Sequence, residues 1–248
     1  MRYVHIERRE SVAILTLDRP ERRNALGSEL LSGLVAAFTQ LSGETTVRSI
    51  VISGAGKGFC AGADLKEFSG DDRDAVSRLN LEMGAFVRSI PLMSKPVVAA
   101  VDGFALGGGL MLAISCDLVV TTPGARWGLP EVSLGWLPGF GLSTLVDRVG
   151  LARARRIAFG AEPFNGAEAV AIGLADILSE EQTVLDKALF QAQRLAALPP
   201  RAVGSVKHYF SLMARNAETM DVFANRVYAQ DAESPEALDT MRERRGEQ

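Results

Sequence analysis

Three consecutive glycines, Gly107 to Gly109, lie between apolar runs in "GFALGGGLMLAISCD", and the first charge after them is Asp117. Upstream stands a second glycine-rich stretch, "GAGKGFCAGADL" (54–65), and downstream a carboxylate among apolar neighbours, Glu131 in "WGLPEVSLGW". A helix that starts at a glycine triplet leaves unpaired backbone N–H groups, and glycine lets a ligand oxygen come close to them. Ala63, after Gly62 at the mouth of a short helical turn, supplies a second such donor. Two donors aimed at one point stabilise an oxyanion, and an apolar pocket raises the pKa of a carboxyl so that it can shuttle a proton. Together these parts suit enolate chemistry on a carbonyl substrate. Plainer accounts exist for each: glycines serve tight turns and close packing, and a glutamate after Pro130 complements the first turn of a helix.

Other chemistries fit poorly. A phosphate-binding loop needs Ser or Thr after its Gly-Lys, but Lys57 is followed by Gly58. A dinucleotide fingerprint starting at Gly54 or Gly107 needs its last glycine where Phe59 or Leu112 stands. His5 and His208 lie far from any Ser, Cys or Asp run that would complete a triad, and Cys60 and Cys116 form no metal-binding cluster. The formal net charge of -3 gives no nucleic-acid footprint. No apolar stretch reaches the about 18 residues of a spanning helix, and the N-terminus lacks a signal-peptide core. The composition therefore predicts a soluble, cytoplasmic protein.

The elements that must hold these residues alternate. "YVHIER" and "VAILTLD" read as a hairpin around Arg9-Glu10. Ser28 caps a helix to about Leu41, with Leu30, Leu31, Leu34, Val35 and Phe38 on one face. "RSIVIS", "PVVAAVDG" and "DLVVTT" read as strands, 71–90 as an amphipathic helix, and the triplet opens a helix through Ser115. "RWGLPEVSLGWLPGFG" reads as loop. From about Ser143 helix dominates, with segments at 143–149, 151–159, 166–172, 181–198, 201–213 and 216–230, interrupted by the short strand "LADILS". An α/β core over 1–199 and a helical region over 200–248 follow, with "RERR" a solvated helix end.

At these residues the sequence resembles the enoyl-CoA hydratase/isomerase (crotonase) superfamily. The match includes "DRPERRNAL", "GAGKGFCAGADLKEF", "KPVVAAVDGFALGGGLMLAISCDLVV", "WGLPEVSLGWLPG", "RRIAFGAEPFNGAEAVAIGLAD" and "SPEALDTMRERR". The resemblance implies a spiral of stacked ββα units, then helices that assemble trimers or pairs of trimers. It implies a coenzyme A thioester as substrate and no separate cofactor or metal. It assigns the oxyanion donors to Ala63 and Gly108 and the acid/base to Glu131. Ala61, Asp64 and Leu65 would line the bend that holds coenzyme A, Lys66 its adenosine end, and Arg244 and Arg245 its phosphates. Hydratases of the family carry a second glutamate where this chain has Met111, and dienoyl isomerases an aspartate at Gly139. The lone Glu131 therefore points to an isomerase moving a β,γ double bond to α,β. The alternatives are a hydratase or related lyase on an unusual acyl-CoA, with Glu131 alone or aided by a second carboxylate such as Asp74 or Glu82, and a non-catalytic acyl-CoA-binding scaffold.

Overall fold

A computed structural model describes residues 1–68, 73–160, 162–211 and 217–245. The expected hairpin is present: β1 (Val4–Arg9) pairs antiparallel with β2 (Val12–Leu17), turning at Glu10 with φ of 55°. After β2 the chain enters α1 (Ser28–Gly43), which buries Leu30, Leu31, Leu34, Phe38 and Leu41. Two local expectations need correction here. Val35 is 47% exposed, because its place on the helix faces away from the sheet. Gly27 rather than Ser28 is the N-cap, and the Ser28 N–H donates to the Glu67 carboxylate at 2.9 Å.

Strands β3 (Ser49–Gly54), β4 (Val97–Val101), β6 (Leu118–Thr121) and β9 (Ile177–Leu178) continue the sheet in parallel, giving the order β1-β2-β3-β4-β6-β9. Their runs are apolar on both faces because both faces are covered. Val12, Ile14, Val51, Val98, Ala100 and Val120 pack under Ala188, Ala192 and Ala196 of α8 (Val184–Ala196). The opposite residues, among them Leu15, Ile50, Ile52, Val97 and Ala99, join the main core. That core also holds residues of α1, α3 (Arg73–Leu92) and α4 (Gly108–Ile114). Pro91 lies inside the last turn of α3 instead of beyond its end.

A second sheet was not legible as strands. It joins β5 (Phe104–Leu106), β7 (Arg126–Gly128) and β8 (Phe164–Asn165), with β5 parallel to β7 and β7 antiparallel to β8. "RWG", expected as loop, is its middle strand, and a 3-10 turn follows at Val132–Leu134. The remaining helices are α2 (Leu65–Phe68), α5 (Leu142–Val149), α6 (Leu151–Ala158), α7 (Gly166–Ala171), α9 (Pro200–Ser211), α10 (Ala217–Asp231) and α11 (Pro235–Arg245). Among the described residues no helix is long and apolar enough to cross a membrane.

The last two helices close back on the loop at 135–141. Gly141 N–H donates to Asp221 Oδ1 at 3.0 Å and Leu137 N–H to Asp231 Oδ2 at 3.1 Å. Trp136 meets Tyr228 edge to face, with ring centroids 5.8 Å apart. Gly135 adopts φ of 96° and packs so tightly on Ala237 of α11 that a Cβ there would stand 2.7 Å from the Ala237 Cα.

Candidate active site

The small sheet brings the glycine triplet to Glu131. Parallel pairing sets Leu106 opposite Gly128, and Gly107 N–H then donates to Gly128 O at 2.9 Å. Gly107 turns with φ of 53° and ψ of -126° into α4, a conformation that favours glycine. On the partner strand only Leu129 and Pro130 separate Gly128 from Glu131, whose carbonyl accepts from Leu134 N–H at 2.9 Å and Trp136 N–H at 3.1 Å. The carboxyl consequently lies on the turn itself: a Cβ at Gly107 would stand 2.6 Å from Glu131 Oε1. Here the triplet's first glycine meets two requirements, its backbone angle and the room it leaves for the carboxyl.

Two bridges position the other glycine-rich stretch. Cys60 pairs with Ala105, its N–H donating to Phe104 O at 3.1 Å and its carbonyl accepting from Leu106 N–H at 3.0 Å. Ala63 pairs with Leu26 through its neighbours: Leu26 N–H donates to Gly62 O at 2.7 Å, and Asp64 N–H to Leu26 O at 2.9 Å. Backbone groups alternate in direction along an extended segment, so the Ala63 N–H points away from Leu26. Among the described residues neither it nor the Gly108 N–H has an acceptor. The two come together: a Cβ on Gly62 would stand 3.3 Å from Gly108 N, and one on Gly108 would stand 3.8 Å from Ala63 N.

Glu131 is the unusual ionisable group. Its Oε2 is buried with no hydrogen-bond partner, and among the described residues no cation pairs with it. Burial pushes its carboxyl up from an ordinary 4.5 to about 7, against a smaller opposing effect of its own backbone N–H. Such a group changes protonation near neutrality, as a carboxyl that both takes and returns a proton must.

The remaining residues singled out in the sequence fall into separate groups. Asp64 is buried and forms an ion pair with Arg19 at 2.8 Å, and its Oδ1 accepts from Lys66 N–H at 3.1 Å. Its carboxylate thus anchors the start of α2, leaving backbone for any ligand. Ala61 N–H donates to Arg23 O at 3.1 Å, while Leu65 and Lys66 are exposed on α2. Arg244 and Arg245 end α11, and their side chains lie outside the described residues. Met111 is buried on α4, its Sδ 2.7 Å from where a Cβ on Gly141 would stand. Asp74 and Glu82 are exposed on α3, and Glu82 lines a groove between α1 and α3.

Sequence reading missed three contributors. Asn24, at φ of 53°, accepts from Arg19 N–H and donates to Ala55 O at 2.9 Å and Gly58 O at 3.0 Å, fixing the loop before Cys60. Asn tolerates left-handed backbone and bonds nearby main chain, a signal present in "RRNAL". Phe140 puts its Cζ 3.2 Å from the Cβ position of Gly108, walling the space above the two donors. Asn80, buried on α3, faces Gly139.

A family model described as "Enoyl-CoA hydratase/isomerase" matches residues 7–245. The short-chain-enoyl-CoA hydratase of Clostridium acetobutylicum is 32% identical over 241 residues, covering 96% of this chain and 92% of that one. The 2,3-dehydroadipyl-CoA hydratase of Escherichia coli is 36% identical over 203 residues, 82% of this chain and 79% of its own. A crystal structure of an enoyl-CoA hydratase/isomerase from Xanthobacter autotrophicus superposes with a TM-score of 0.89 at 28% identity, covering 99% of this chain and 94% of that one. The fold is accordingly the α/β crotonase fold with C-terminal helices. With a family model spanning nearly the full length, and relatives above 30% identity over most of it, this chain belongs to the enoyl-CoA hydratase/isomerase family.

Proposed function

We propose that the protein acts on enoyl-CoA thioesters through an enolate, moving a double bond from the β,γ to the α,β position. The observation that carries this reading is a carboxyl whose buried Oε2 has no hydrogen-bond partner, beside two backbone N–H groups that have no acceptor among the described residues. Glu131 takes the α proton, the electron pair moves onto the thioester oxygen held by Ala63 and Gly108, and the same carboxyl returns the proton at the γ carbon. Ala61, Leu65 and the Asp64 backbone line the bend for coenzyme A, Lys66 meets its adenosine end, and Arg244 and Arg245 its phosphates. Coenzyme A enters as part of the substrate, and the chemistry calls for no further cofactor.

Hydration is the second reading, favoured by the names of the relatives above. Adding water needs a group that positions and deprotonates it besides one that protonates the α carbon. Incubating the protein with 3-enoyl-CoA and with 2-enoyl-CoA, and following both product mass and the absorbance of the conjugated thioester, separates the readings. An equal-mass 2-enoyl product marks the isomerase, a gain of one water the hydratase, and no change in either a binding scaffold. Met111→Glu bears on the same choice. It should add weak 2-enoyl-CoA hydration and lower stability by a few kcal/mol, because the new carboxyl replaces a buried thioether packed on Gly141. A folded variant with no water addition would assign the difference to other wall residues.

The helices after Pro199 bear on assembly. Val206, Tyr209 and Phe210 on α9 are 57%, 61% and 62% exposed, beside an apolar hollow that also includes Ile114, Leu195 and Leu198. Met213, which continues the helical spacing of Val206 and Phe210 in the sequence, lies outside the described residues. A trimer or pair of trimers covers such a face, and light scattering at micromolar concentration should report that mass and not a monomer.

A further inference from the structure

Among the described residues, five buried side-chain atoms lack a hydrogen-bond partner: Arg19 Nε, Arg48 Nε, Asn80 Nδ2, Glu131 Oε2 and Asn225 Oδ1. The two arginines are engaged through other nitrogens, Arg19 with Asp64 and Arg48 with Leu198 O. Asn225 keeps a bond from its Nδ2 to Ser77 Oγ at 2.7 Å. Glu131 belongs to the chemistry above. Asn80 is 3% exposed and its amide nitrogen donates to nothing.

Its position connects it to the acyl end of the site. Asn80 lies one turn before Gly84 on α3, and its Nδ2 stands 2.9 Å from where a Cβ on Gly139 would be. Gly139 opens the wall that continues through Phe140, whose ring tip meets Gly108, to Gly141, against which Met111 packs. Consecutive Cα atoms are about 3.8 Å apart, and the ring of Phe140, the residue beside Gly139, reaches Gly108, so Asn80 is within an acyl chain's length of the two donors. An apolar chain gains nothing from a buried amide at this place, since a desolvated donor without an acceptor is costlier than a hydrocarbon side chain. The charges on this face are already matched. Arg88 pairs with Asp221, which also accepts from Gly141 N–H. A neutral oxygen fits better here than a carboxylate.

We propose that Asn80 is a specificity-determining residue whose Nδ2 donates to a neutral oxygen, hydroxyl or keto, carried on the acyl chain beyond the β carbon. The preferred substrates are then oxygenated enoyl thioesters, not plain hydrocarbon ones. This rests on the enolate reading of Glu131, Ala63 and Gly108.

The test compares wild type with Asn80→Leu on 2-hexenoyl- and 3-hexenoyl-CoA and on their 6-hydroxy and 5-oxo analogues. Wild type should favour an oxygenated chain. Asn80→Leu should lower kcat/KM for that chain about 10-fold or more while leaving the plain chain unchanged or improved. Parallel loss on both would make Asn80 a packing residue only and overturn the proposal, as would wild-type preference for the plain chain. If Asn80→Leu does not fold, Asn80→Ala removes the donor without adding bulk beside Gly139. If wild type turns over none of these thioesters, the enolate reading fails separately. Asn80 is then judged by calorimetric binding of the same compounds, and equal affinities for plain and oxygenated chains overturn its role.

Discussion

Glu131→Gln should lower kcat by about 10³-fold, within the range typical for loss of a general acid–base group, while acyl-CoA affinity changes only a few fold. The amide keeps the size and place of the carboxyl against Gly107 but cannot take a proton. Retention of near-native rates with a proven substrate would refute the single-base mechanism. Stability should move the opposite way. The folded carboxyl binds its proton more tightly than the unfolded one, because its pKa is raised from 4.5 to about 7. The native state therefore holds more protons than the unfolded state between those values, and stability falls as pH rises through that window. It is full below about pH 4.5, and above about pH 7 the loss amounts to roughly 3 kcal/mol. Glu131→Gln removes this dependence, so at pH 8 its melting temperature should exceed that of wild type. In wild type, kcat/KM should rise with pH through about 7, since the proton-accepting form is the ionised one.

Gly108→Ala should separate folding from catalysis as sharply. The new Cβ would meet only the far ends of two side chains, Phe140 Cζ at 3.2 Å and Leu26 Cδ1 at 3.3 Å, and would stand 3.8 Å from Ala63 N. Alanine is the better helix former, so melting temperature should hold or rise slightly. The backbone N–H survives, yet the methyl fills the space where the thioester oxygen has to sit. Activity should drop about 10²–10³-fold, comparable to losing one oxyanion donor. A fully active, folded Gly108→Ala protein would mean that the oxygen is held elsewhere. Gly107→Ala cannot make this distinction, since it combines a left-handed φ with a clash on Glu131 Oε1.

The parts that read most clearly in the sequence are those whose signal is local. β3 and β4 announced themselves as continuous apolar runs, α1 by its periodicity, and the glycine triplet by its position ahead of an apolar helix. Glu131 stood out as a charge among apolar neighbours. Its proximity to Gly107 was legible only through the family resemblance, because the device that creates it is a pair of three-residue strands, Phe104–Leu106 and Arg126–Gly128. Strands that short carry no periodicity, and glycine or proline on their flanks imitates loop. Asp64 shows the reverse case. Its motif pointed to a ligand contact, but the ion pair with Arg19 depends on a residue far back in the chain and became visible only on folding. Asn80 gave no sequence signal, since an asparagine in a polar helix looks like ordinary solvated surface until Gly139 packs against it.

The loop that walls the reacting groups is tethered by Asp221, Tyr228, Asp231 and Ala237 of α10 and α11, which follow every reacting group in the chain. Synthesis runs from the other end, and domains acquire structure in that direction as they emerge. The sheet, the triplet and Glu131 are consequently all made before anything exists to tether the loop beside them. On the ribosome the protein is for a time a scaffold with an unfinished pocket, which closes only once α10 and α11 have emerged.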